Sequence, residues 1–380
     1  MQSIRKKNLA VVNLMIGLVF YLQEAPAIKS PHNTLKNIQA LEGKLNLVLV
    51  RDWGGEHEEN ENNIFYEPMD VAIDNENRIY ILEESKIKVF DNSGQYLRTM
   101  GRKGDGPGDL YGALCLEIDK QGNLVIADAG NQRTQILSSE GKFIGSFPLS
   151  GNLPGPIAVT QNNEILMSNR TLTTEKSSLW IYYDYRGQIL WERGERKGGS
   201  SVLENNMRNE FAFVLDKKDS LYTAAIYRPI IHKYAPTGEL QMESSFEVPF
   251  RVPEIKAFKR AEGVFIEAEA VCRGIDRDSR NRIFLLALTR PKKEEERKIG
   301  YVISTLSHDG KRSTVEKMKF NLNSAETDLY QILVFNDSGK IEASKKVNVY
   351  ANKIRIHKNR LFLIDSYVNM MIYEYEILDE

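Results

Sequence analysis

The sequence predicts an all-β fold: a six-bladed β-propeller of four-stranded antiparallel blades, closed by an N-terminal strand that completes the last blade. Three observations lead there. A short apolar strand, a polar turn and a second apolar strand recur six times. A second hairpin follows in most of these repeats, and one strand is left over at each end of the chain. A unit of roughly 40–50 residues holding a few strands cannot bury its own faces, so it must stack against copies of itself.

The first two repeats are the clearest, MDVAIDNENRIYIL from Met69 to Leu82 and LCLEIDKQGNLVIA from Leu114 to Ala127. The third is Ala158 to Ser168, the fourth Phe213 to Ala225, the fifth Gly274 to Leu288 and the sixth Ile354 to Asp365. Each reads as an antiparallel hairpin around a turn rich in Asp, Asn and Gly. Second hairpins follow at Lys88 to Thr99, Gln135 to Phe147, Ile181 to Glu192 and His232 to Glu243. All four place a glycine (Gly94, Gly141, Gly187, Gly238) just before the last strand, where a positive φ is wanted. Many strands are apolar at consecutive positions, as sheets buried on both faces require. In repeat five two hairpins follow, one around His308-Asp309-Gly310 and one from Tyr330 to Ser344; the second matches the usual pattern, which would make about 291–328 an insertion, and the sequence leaves open which of them completes the blade. Repeat six ends at a third strand, Met370 to Leu378, and Leu45 to Trp53 stands before repeat one without a partner. Pairing these two closes the ring and removes two open sheet edges.

Of the 380 residues, 42% are hydrophobic, enough for a large core, and the charges nearly cancel at a net −1. A nucleic-acid binder needs a clustered basic surface, and no such cluster stands out. Arg5, Lys6 and Lys7 precede an apolar run from Leu9 to Leu22, and Ala25-Pro26-Ala27 offers small residues for cleavage. The run is short for a spanning helix of ~20 residues. Residues 1–27 therefore read as a signal peptide, with an uncleaved tether as the alternative, residues 28–43 as a linker and 44–380 as the propeller. The compartment expected is periplasmic or extracellular, with no stable membrane span after cleavage. Cys115 lies four residues before Asp119 and Cys272 four before Asp276, which places both at one position of opposite repeats. A disulfide needs Cα atoms within ~7 Å, so both are expected to be buried free thiols.

The segment Gly101 to Phe147 resembles an NHL repeat. It has a glycine-rich approach, a strand, a glycine turn, a strand ending in Ala127-Asp128, then Gly130-Asn131, Arg133 and another strand. The whole chain resembles the exported six-bladed propellers of the NHL and TolB-like group, with the match strongest from Tyr66 to Phe147. The resemblance implies the fold; the group hosts binding proteins, lactonases, lyases and dehydrogenases alike, so function does not transfer with it.

Ligands of propellers usually meet the loops after the second strands, where a rigid scaffold positions variable residues. Those positions hold Glu83, Asp128 and Asn131, Asn169 and Arg170, Arg228, Arg290 and Asp365. The acids come from repeats six, one and two and the arginines from three, four and five. That pattern suggests a mouth acidic on one arc and basic on the other, suited to carboxylate or phosphate groups. The alternative is that each residue serves a local turn. Five histidines without paired spacing give no metal motif, and no cofactor is expected. Calcium at the axis, as in the lactonase relatives, would draw on Glu67, Asp70, Asn169 and Asp365. Gly101 to Gly108 lacks the GK[ST] ending of a phosphate loop, and no GxSxG is present. The expected function is a binding module that offers a loop face to a protein, peptide or glycan; the rival is a calcium-dependent hydrolase or lyase of the lactonase type.

Overall fold

The computed structural model describes residues 28–55, 58–149, 152–153, 155–171, 178–260, 263–293, 296 and 326–378. The expected signal peptide and most of the 291–328 insertion lie outside them. Six four-stranded antiparallel sheets stand in a ring. Blade one is Pro68–Ile73, Ile79–Glu83, Ile87–Phe90 and Tyr96–Met100, and blade two is Ala113–Ile118, Leu124–Asp128, Arg133–Leu137 and Phe143–Pro148. Blade three is Ile157–Val159, Ile165–Ser168, Ser178–Tyr183 and Ile189–Glu195, and blade four is Phe211–Leu215, Leu221–Ala225, Ile230–Tyr234 and Leu240–Phe246. Blade five is Cys272–Arg277, Ile283–Leu288, Tyr330–Phe335 and Ile341–Val347. Its second half is therefore the hairpin that the sequence favoured. Blade six is Lys353–His357, Arg360–Asp365 and Met371–Leu378, and Asn46–Gly54 supplies its outer strand. The closing register runs from Asn46 opposite Leu378 to Gly54 opposite Met371, with a bulge between Leu49 and Arg51. Each inner strand touches the inner strands on either side, blade six against blade one included.

The turns repeat one piece of chemistry. Between the first and second strands, the side chains of Asp74, Asp119, Asp216 and Asp278 each accept the N–H groups two and four residues on. Thr160 does the same with its hydroxyl. An Asx-type bond replaces the backbone bonds that a tight turn leaves unmade. Between third and fourth strands, Asp91, Ser138, Asp184 and Asn336 repeat the pattern. The glycines that follow have positive φ, as expected. They also sit against the neighbouring blade: a Cβ on Gly187 would lie 2.5 Å from Cβ of Phe147.

This turn pattern corrects one reading. Arg277 pairs with Ile283 as Ile118 pairs with Leu124, so the turn carboxylate of blade five is Asp278 rather than Asp276. Cys272 therefore stands six residues before its turn and Cys115 four, and the two are not at one position. Strand side chains repeat every two residues, so a slip of two leaves the inward and outward pattern unchanged. Both thiols are buried and free.

Residues 28–43, read above as a linker, are laid along the rim. His32–Asn33 adds a parallel strand to the outer edge of blade four, and the helix Leu35–Ala40, capped by Thr34, packs on the outer strand of blade five. Asn33 bolts the two blades together. Its amide donates to Ser244 Oγ, Ser245 O and Gly339 O, each at 3.1 Å, and its Oδ1 accepts from Ile341 N at 2.9 Å. Asn33→Ala should cost about 2–4 kcal/mol, because it strands buried groups on both blades. Thermal melts read the loss, and hydrogen exchange should show it concentrated on Leu240–Phe246 and Ile341–Val347.

Candidate functional site

The meander gives the disc two unlike faces. On the upper face second strands end and inner strands begin; on the lower face inner strands turn into second strands. All eight candidate positions follow or end a second strand, and the structure places them one blade at a time. Glu83 is buried and accepts the Tyr66 N–H at 3.0 Å, with Lys86 and Lys88 at 3.8 and 3.9 Å. Burial raises its pKa despite those ammonium groups. Asp128, wholly buried, accepts from Tyr111 N, Asn131 Nδ2, Arg133 Nε and Gln135 Nε2. Asn131 also donates to Gly104 O. Arg133 donates to Asp105 O, Gly106 O and Asp109 O. The NHL-like signature is thus a clasp that holds the glycine-rich connection between blades one and two. Asp365 is buried and accepts the N–H groups of Tyr367, Val368 and Asn369.

On the basic arc Asn169 and Arg290 are similarly engaged. Asn169 donates to Ser178 Oγ at 3.2 Å, and its carbonyl accepts from Arg196. Arg170 lies in a short strand paired with Asn152–Leu153. Arg228 is half-buried, with its pKa lowered by burial, and one terminal nitrogen has no hydrogen-bond partner. Arg290 forks onto Glu296 at 2.7 and 2.8 Å and onto Asp328 at 2.6 Å. Of the eight, Asp128 and Asn131 are joined directly, by a hydrogen bond of 2.9 Å.

A different set of charges converges on the axis, and the inner strands supply it. Arg355 of blade six makes a two-pronged contact with Asp70 of blade one, Nε to Oδ1 and Nη2 to Oδ2, both at 2.7 Å. Its Nη1 reaches Glu117 of blade two at 2.9 Å, and Nη2 also lies 3.5 Å from Cys115 Sγ. Lys353 Nζ adds a contact to Asp70 at 3.1 Å. Asp276 of blade five accepts Ile356 N at 2.7 Å. Burial alone would lift the pKa of Asp70, but Arg355 and Lys353 reverse that and hold its carboxyl well below the usual range. Glu117 goes the other way: burial outweighs Arg355 and pushes it up to about 7. Cys115 is pushed up to about 12 by burial and by the Asp70 charge, which removes it as a nucleophile.

This knot is the waist of an axial channel. Above it lies a cavity of about 300 Å³, below it one of about 470 Å³, and Arg355 lines both. Blades three and four present mainly apolar inner strands to both cavities, with Ile157, Ala158 and Val159 from the first and Phe211 to Leu215 from the second. Of the residues the calcium alternative would draw on, both oxygens of Asp70 are taken by cations and backbone N–H groups and both oxygens of Asp365 cap a turn, while Asn169 donates its amide to Ser178 Oγ and its Oδ1 has no hydrogen-bond partner. Among the described residues no group of three or more His, Cys, Asp or Glu is arranged to hold a metal ion, and no helix is long and apolar enough to cross a membrane. His232 is buried in the third strand of blade four, 3.2 Å from Glu243. His357 closes the inner strand of blade six, and burial and its cationic neighbours lower its pKa to about 4.

No protein-family model matches the chain, and no curated protein sequence does. Solved structures do. A member of the DUF4221 family from Bacteroides vulgatus aligns over 88% of this chain and 99% of its own, at 13% identity and a TM-score of 0.56. A Bacteroides fragilis protein described as exported aligns over 93% and 100%, at 10% identity and 0.54. A virginiamycin B lyase from Staphylococcus aureus follows at 12% identity and 0.46, a score on which nothing is built. The chain is a six-bladed β-propeller.

Proposed function

We propose that this chain is an exported propeller that works by binding, and that its partner is a polypeptide docked on the outer rim. One observation carries this reading. The exposed large apolar side chains of the described residues fall mainly on four outer strands: Val48 to Val50 on blade six, Leu97 on blade one, Phe143 and Ile144 on blade two, Ile189 to Trp191 on blade three. None falls on the outer strands of blades four and five, which the chain covers with its own Lys29–Ala40 segment. Scattered exposed apolar residues need no explanation, but a run along successive uncovered sheet edges is the mark of an interaction surface.

His32–Asn33 supplies the pattern for the occupant. An extended segment pairs with an outer strand through its backbone and buries a side chain between blades, which is strand addition. A peptide or protein strand suits these edges better than a glycan, which has no ladder of N–H and C=O groups. Export is supported by the residues from Arg5 to Ala27, and the upper loop face is the alternative docking surface. Photo-crosslinking side chains at Ile144 and Leu190, compared with Glu84 on the upper face, separate the two in the producing cell. Polypeptide adducts from the rim that vanish when Trp191 is changed to Lys are expected. Adducts from Glu84 alone would move the interface to the loops.

A further inference from the structure

The upper axial cavity has a polarity that the waist does not use up. Its charged lining is Arg273, Lys353 and Arg355 against one carboxylate, Glu210. Arg355 is spent on Asp70 and Glu117, while Lys353 keeps only a 3.1 Å contact to Asp70 and a 3.2 Å bond to Leu114 O. Arg273 goes further: its Nε is buried and has no hydrogen-bond partner. A guanidinium N–H without an acceptor costs free energy, and a counter-charge beside the guanidinium offsets that cost. Lys292, beside Arg273, has its pKa lowered to about 8, first by burial and then by the Arg273 charge, and the nearby Glu269 and Glu296 do not offset this.

The opposite wall is unlike this one. Across the axis from Lys353, blade three offers Pro156 and Ile157, and blade four continues the apolar wall with Phe211, Ala212 and Phe213. A cavity of about 300 Å³ stands at the low end of the usual range for small-molecule sites, ~300–1,000 Å³. We propose that the upper axial cavity is a binding site for a small amphipathic carboxylic acid. Its carboxylate bridges Arg273 and Lys353, and its aromatic or branched aliphatic body lies on Ile157, Ala212 and Phe213. A cationic ligand would meet three positive side chains, and a fully polar anion would leave the apolar wall wet. The site is independent of the rim.

Calorimetric titration of the whole protein with phenylacetate, 3-phenylpropanoate and hexanoate tests it, with 3-phenylpropanamide and 3-phenylpropylamine as matched controls. At least one acid should bind and raise the melting temperature, and the amide and the amine should do neither. Arg273→Gln should weaken the bound acid tenfold or more, and added salt should weaken it as well. Ala212→Phe, which fills the apolar side without touching the charges, should abolish binding and decides the matter should R273Q fail to fold. The proposal is overturned by three acids that all fail to bind the wild-type protein, by an amide that binds as tightly as its acid, or by binding that survives A212F.

Discussion

Replacing Arg355 with methionine should destabilise the propeller by roughly 3–5 kcal/mol at neutral pH, because it leaves a fully buried Asp70 with only Lys353 and frees Glu117 of its cation. The pH dependence of that loss distinguishes charge from packing. In the wild type Asp70 titrates below its unfolded value of ~3.9. It contributes stability above that pH and loses the contribution only as the solution is taken well below it. In R355M burial dominates, the folded-state pKa of Asp70 rises above the unfolded one, and stability instead falls as pH rises through the interval between them. The deficit should therefore shrink progressively as pH falls below about 4 and grow toward neutral pH, with Glu117, already pushed up to about 7 beside Arg355, adding to it above that. Urea titrations across that range measure it. A deficit that does not vary with pH would mean that the guanidinium matters only as a space-filler. The double variant R355M/D70N should recover much of the loss, since removing both charges removes the stranded one.

Asp128→Ala carries the second large effect, about 3–5 kcal/mol. Four donors converge on that carboxylate, and three of them, Asn131, Arg133 and Gln135, in turn hold the carbonyls of Gly104, Asp105, Gly106 and Asp109. The loss should be local as well as global. Limited proteolysis should cut the connection between Met100 and Ala113 in the variant under conditions that leave the wild type whole. Asp128→Asn keeps the shape and can still offer its oxygen to Asn131, Arg133 and Gln135, but then turns an amide donor toward the Tyr111 N–H, so its loss should be smaller than that of Asp128→Ala.

Architecture was open to reading because it is written many times over. Six hairpins, the glycines at Gly94, Gly141, Gly187 and Gly238, and the two unpaired strands at either end each vote for the same ring, and a local irregularity cannot outvote them. The axial knot is written once. Arg355 sits in Lys353–His357, a strand whose alternation of charged and apolar residues reads as an ordinary solvated face. That its solvated side points down a channel follows only from closure of the ring. Asp276 was concealed by Asp278 two residues on, since a period-two pattern accepts either as the turn. Loop carboxylates such as Asp128 and Asp365 drew attention for being polar at a loop, yet polarity there answers the donors of a tight turn as readily as it answers a ligand. The rim segment Lys29–Ala40 leaves almost no trace in sequence, because a two-residue strand and a six-residue helix are too short for any periodicity to emerge.

Closing blade six with two strands far apart in sequence imposes an order on biogenesis. The strand Asn46–Gly54 leaves the ribosome long before its partner Met371–Leu378. Until then an apolar edge waits without its mate, and the longest-range pairing in the molecule is the one that finishes it. Without Met371–Leu378 the disc is nearly complete but still gaping, and a truncation that removes this strand would release not a shortened wheel but an unlatched one.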